Sequence, residues 1–177
     1  VNPHMAKNQK LISNPNCTTA IAAVALWPIH KRYTLKKVII SSYQASSGAG
    51  AEGMEELRQG TQAILNDEKC PQKVFAHPLA FNVIPHIDRF LENDYTKEEM
   101  KVAWETAKIM NDESIAVSCT AVRVPTMRAH AESITIETEK PIVPDEARKL
   151  LEAAPGVVVI DDTDAGRYPM PKNASEK

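Results

Sequence analysis

Hydrophobic and polar positions divide this chain into short blocks of contrasting period. The run Ala20-Ile21-Ala22-Ala23-Val24-Ala25-Leu26 is apolar throughout and too long for an ordinary strand. It follows the polar, turn-forming stretch Ser13-Asn14-Pro15-Asn16-Cys17-Thr18-Thr19, so a buried helix is predicted with Cys17 in its first turn. Leu35 to Ser42, with Lys37-Val38-Ile39-Ile40 at its centre, reads as a strand entering the loop Tyr43-Gln44-Ala45-Ser46-Ser47-Gly48-Ala49-Gly50. Ala51 to Leu65 places Met54, Leu57 and Ile64 among charges, the pattern of a surface helix. Pro78 and Pro85 punctuate Phe75 to Pro85, which predicts extended chain. Thr96 opens another helix, running to about Met110, with Glu99 completing a capping box. Ile115 to Val124 and Ala131 to Glu137 alternate as strands, and the short link Pro125-Thr126-Met127-Arg128 predicts that they pair antiparallel. Pro144 starts a short helix to about Leu151, and Val157-Val158-Val159-Ile160 reads as a last strand. The expectation is one mixed α/β domain of the α+β kind over residues 1–177, a largely antiparallel sheet with helices on one face.

Composition narrows the function. With 177 residues, 43% of them hydrophobic, the chain can bury a real core. A formal net charge of −2 argues against a nucleic-acid surface. Cys17, Cys70 and Cys119 are an odd, sparse set with no CxxC, so neither a disulfide framework nor a metal site is expected, and a reducing compartment is. No apolar run approaches the ~20 residues of a membrane span, and no signal peptide is visible at Val1-Asn2-Pro3-His4-Met5. The chain opens without an initiator Met and ends in the polar run Lys172 to Lys177, and reads as a piece of a longer protein. Gly48-Ala49-Gly50-Ala51-Glu52-Gly53 is a lone GxGxxG and no P-loop is present; a dinucleotide-binding module is not expected within the chain.

Cys17 carries the clearest chemical signal. At a helix N-terminus, unpaired backbone N–H groups and the helix dipole favour an anion, and the thiolate is the nucleophilic form of cysteine. On position alone, a small buried apolar cysteine is the competing reading. The context decides it. Asn14-Pro15-Asn16-Cys17-Thr18-Thr19, Tyr43 to Gly50, and Arg123 followed seven residues later by His130 together make the chain resemble aspartate-semialdehyde dehydrogenase. Phe81-Asn82-Val83-Ile84-Pro85 and Glu98-Glu99-Met100-Lys101 are similar to further motifs of that family, and the resemblance runs over essentially the whole chain.

That resemblance implies a fold like the C-terminal domain of glyceraldehyde-3-phosphate dehydrogenase-like enzymes, as the catalytic and dimerisation part of a homodimeric enzyme. It also implies NADP-dependent reductive dephosphorylation of aspartyl-4-phosphate to aspartate-4-semialdehyde, on the route to lysine, threonine, methionine and isoleucine. NADP would be bound mostly by a domain outside this chain. By the same resemblance Cys17 is the nucleophile, His130 the acid/base and Gln44 the residue orienting the thioester. Arg123 would grip the substrate carboxylate, Glu98 its ammonium, and Lys101 and Asn16 its phosphate, while Ser47 and Gly48 would lie near the nicotinamide. Small-molecule substrates, no nucleic acid and no membrane are the partners implied, with a location in cytoplasm or plastid stroma. Glu98 and Lys101, at i and i+3 of one helix, would also suit an ordinary surface salt bridge. Cys70, Cys119, His30, His77 and His86 are read as structural. Three alternatives stand beside this reading: N-acyl-glutamyl-phosphate reductase, a folded dimerisation module without activity, and a thiol hydrolase using Cys17 and His130.

Overall fold

Three strands and five helices make up the framework in the computed structural model, which describes residues 1–175. In chain order they are α1 (Cys17–Tyr33), β1 (Leu35–Gln44), α2 (Gly50–Leu65), α3 (Lys97–Met110), β2 (Ala116–Arg123), β3 (Ala131–Thr138), α4 (Pro144–Glu152) and α5 (Pro171–Ser175). The mixed α/β class is as expected. The strand order is not that of the expected hairpin, because β1 lies between the other two, in the order β2-β1-β3. The Val124 N–H donates to Gln44 O and the Ser46 N–H to Thr126 O, so the two chains climb together, as in a parallel pair. Glu139 and Lys140 instead donate to Thr34 and Tyr33 in reversed order, the antiparallel signature. The sheet is therefore mixed. Val157 to Ile160 forms no strand, and the end of the polar C-terminal run, Glu176 and Lys177, lies outside the described residues.

The chain divides into two compact units. The first comprises Val1–Ile40, Glu99–Cys119 and Ile134–Asp161; the second comprises Ser41–Glu98, Thr120–Ser133 and the chain from Asp162. The first unit holds the larger core. There α1 buries Ala22, Ala23, Leu26, Ile29 and Tyr33 with Leu35, Val38, Ile40, Val102 and Met110. Pro28 removes a helical N–H yet does not end α1, because Ile29 and Tyr33 continue the buried stripe past it. Leu35 and Val38 are both buried, and Lys36 and Lys37 both reach Glu137, at 3.0 and 3.5 Å. The alternation skips one residue there, as at a β-bulge. His30 is structural, accepting from the Leu35 N–H at Nδ1 and facing Asp112. In the second unit α2 packs Leu57 on Leu79, Ala80 and Ile84, and Ile84 bridges to Arg123. Phe75 to Pro85 forms no regular strand.

Candidate active site

Cys17 is the first residue of α1 and is exposed. Asn16 caps the helix, its side-chain oxygen accepting from the Thr19 N–H at 3.2 Å, and its own N–H donates to the Glu105 carboxylate at 2.6 Å. The first turn itself carries no acidic residue, and the Glu105 carboxylate meets the helix start at the cap N–H. Lys101, half-buried on α3, belongs to the same unit as Asn16 and Cys17.

The second unit gathers Gln44, Ser47, Gly48, Glu98, Arg123 and His130, residues far apart in the chain. Gln44 ends β1 instead of standing in a loop. It is 1% exposed, and its Nε2 donates to Ser42 Oγ at 3.2 Å and to Glu98 Oε1 at 3.3 Å. A buried polar side chain needs such partners, and the carboxylate fixes which way the amide faces. Glu98 is buried on α3, and this sets it apart from its half-buried neighbour Glu99.

Ala45, inconspicuous in the sequence, organises the rest. Its N–H donates to His130 Nδ1 at 3.0 Å, while its carbonyl accepts from Arg123 Nη1 at 2.6 Å and from the Gly48 N–H at 3.1 Å. One fully buried backbone unit thus holds both the imidazole and the guanidinium. A ring accepting at Nδ1 carries its proton on Nε2. Burial pushes the His130 pKa below the ordinary imidazole value and the Arg123 charge adds to this, while the Ala129 backbone and the Glu98 charge pull the other way.

Gly48 has a steric reason to be glycine. A Cβ there would stand 2.8 Å from Arg123 Nη1 and 3.3 Å from His130 Nε2. The space a side chain would fill already belongs to Arg123 and His130. Gly50, at φ +77, meets a conformational need instead and opens onto free space. A cavity of about 350 Å³ lies against Gly48, Phe75, Ile84, His86 and Arg123. Among the described residues no cluster could hold a metal ion, and no helix is long and apolar enough to cross a membrane.

Comparison with known proteins adds a family. The description "semialdehyde dehydrogenase, dimerisation domain" matches residues 26–177. An aspartate-semialdehyde dehydrogenase of Aquifex aeolicus is 50% identical over 97% of this chain and 52% of its own length. One from Campylobacter jejuni is 46% identical over 99% of this chain and 52% of its own. The crystal structure of aspartate semialdehyde dehydrogenase II of Vibrio cholerae, complexed with ASA, superposes with a TM-score of 0.89 at 40% identity. It covers 93% of this chain and 48% of that one. The chain spans about half the length of the curated relatives it matches.

Proposed function

This chain belongs to the semialdehyde dehydrogenase family, and from that premise we propose that it is the catalytic and dimerisation part of an aspartate-semialdehyde dehydrogenase. The reaction is the reversible reductive dephosphorylation of aspartyl-4-phosphate to aspartate-4-semialdehyde and phosphate. The observation that carries the reading is the convergence of Gln44, Glu98, Arg123 and His130 on Ala45 and its neighbours, four residue types this chemistry needs.

Cys17 supplies the thiolate that attacks the acyl carbon, expels phosphate and holds the product as a thioester. Its place at the exposed start of an uncharged first turn supports that role. Gln44, clamped by Ser42 and Glu98, orients the thioester, and His130 transfers the proton of the tetrahedral intermediates at Nε2. Arg123 offers a planar fork to the substrate carboxylate. Glu98 receives the ammonium, and Lys101 and Asn16 receive phosphate.

The exposed turn at Gly48 and the open space beside Gly50 fit the close approach of one end of a dinucleotide, so Ser47 and Gly48 would contact NADP. When bound, that cofactor supplies the hydride chemistry. The enzyme works as a homodimer. The outward side chains of β1, Ile39 at 48% and Tyr43 at 43% exposure, are apolar surface that a second copy would cover.

The test is direct. In the full-length protein, Cys17→Ala should lower semialdehyde- and phosphate-dependent NADP reduction at least about a thousandfold. Turnover retained by that variant would refute the proposal.

A further inference from the structure

Arg123 is held from two sides. Ala45 accepts from its Nη1, and the Phe75 ring lies across the guanidinium, with Cζ 5.7 Å from the ring centroid. A cation over an aromatic face is attracted by the ring quadrupole, and burial strengthens the contact. Yet Phe75 stands in an irregular segment, where no strand or helix fixes its direction.

What fixes it is Glu56, buried on α2. Its Oε2 accepts the N–H groups of Lys73 and Val74, both at 2.7 Å, and its Oε1 accepts that of Phe75 at 3.1 Å. Three consecutive N–H groups on one carboxylate set the path of the backbone, and with it the direction of the ring. Gly53, three residues earlier on the same helix, leaves room for the ring. A Cβ there would come within 3.1 Å of Phe75 Cζ and 2.7 Å of Ser46 O.

From this geometry we infer that Glu56 is a positioning residue for recognition of the substrate carboxylate, acting through the turn at Lys73–Phe75 and the Phe75 ring on the Arg123 fork. This rests on the role proposed above for Arg123. Glu56 touches neither substrate nor cofactor. Its effect belongs in the affinity for a carboxylate, and the chemical step lies elsewhere.

The experiment uses the full-length protein and two aldehydes: aspartate semialdehyde, and the aminoaldehyde carrying hydrogen in place of its carboxylate. Phe75→Leu should raise KM for the semialdehyde roughly five- to tenfold, the worth of one partly buried cation–π contact. Its kcat should stay nearly constant, as when uniform binding is lost, and KM for the aminoaldehyde should not move. Glu56→Gln, with one acceptor oxygen in place of two, should repeat the Phe75→Leu result. The double variant should be no worse than either single, because both lie on one path.

Equal KM increases for both aldehydes, a fall in kcat alone, or additive effects would overturn the inference and leave Glu56 a structural cap. Should Glu56→Gln fail to fold, Phe75→Leu keeps the carboxylate and its three bonds and carries the test. Arg123→Lys separates the layers. If it leaves KM for the semialdehyde unchanged, the role of Arg123 falls and this inference with it. If it raises KM while Phe75→Leu does not, only the inference falls.

Discussion

Replacing Gly48 with alanine adds one methyl group where two functional side chains already stand. The new Cβ would lie 2.8 Å from Arg123 Nη1 and 3.3 Å from both Cε1 and Nε2 of His130. The backbone of Gly48 lies outside the left-handed region, so the strain comes from contact and not from torsion. A comfortable carbon–nitrogen separation is about 3.5 Å, so the methyl and the guanidinium must part by roughly 0.7 Å. The guanidinium cannot swing away freely, because Arg123 is 6% exposed and its Nη1 is bonded at 2.6 Å to Ala45. Overpacking of this kind costs about 1–3 kcal/mol. Alanine recovers about 0.4–1 kcal/mol by restricting the unfolded chain. The net loss, near 1 kcal/mol, corresponds to a fall in Tm of about 2–4 °C. Activity should suffer more, since the displaced groups are those assigned to carboxylate recognition and proton transfer. A shift approaching 1 Å supports a drop in kcat/KM of about 10- to 100-fold. Thermal denaturation of this chain and steady-state kinetics of the full-length Gly48→Ala protein measure the two quantities. Wild-type kcat/KM with an unchanged Tm would refute the reasoning.

Three further outcomes follow from the same structure. Burial pushes the Glu132 carboxyl up to about 8, and its Oε1 is buried without a hydrogen-bond partner among the described residues. The folded state therefore holds a proton between the ordinary carboxylate value and about 8, where the unfolded chain has released it, so stability falls as pH rises through that window. Glu132→Gln should remove this slope and stabilise the protein at pH ~8 by about 2 kcal/mol, less than a shift of that size would give a fully buried group; parallel Tm-against-pH curves would contradict this. Glu98→Gln removes a negative charge that supports the His130 cation, so the ring should titrate lower still when followed by proton NMR, and an upward shift would count against the network. Asn16→Ala should cost about 1 kcal/mol in thermal unfolding through loss of the α1 cap; an unchanged Tm would show that the Glu105 bond suffices alone.

Much of the framework was legible because the residues that decide it are local. Asn16 and Thr19 mark the start of α1, and the β-branched centre of β1 marks a strand. Pairing was not legible. A short link between β2 and β3 suggests a hairpin, and no periodicity reveals that β1 occupies the place between them. Val157 to Ile160 has strand composition and no strand partner. The sequence places Tyr43 and Gln44 in a loop because a polar, small-residue stretch follows them, whereas in the fold they end β1 and Gln44 bonds to Ser42 and Glu98. Motif resemblance reached Gln44, Arg123 and His130. It could not reach Ala45, whose contribution is backbone alone, or Glu56, whose partners lie 17 to 19 residues onward in an irregular segment. Gly48 was assigned to a cofactor's approach, and the fold adds that its missing side chain makes room for Arg123 and His130.

The turn after β1 is stitched to the chain after β2: Ser46 and Ser47 donate to Thr126 and Met127, and Val124 donates to Gln44. Such a turn has no independent freedom, and its amides should exchange with solvent in one opening event with a shared protection factor. A ligand meeting Gly48, Arg123 and His130 would find a surface already ordered, and would surrender little conformational entropy on binding. This part of the protein behaves as a continuation of the sheet and not as a lid.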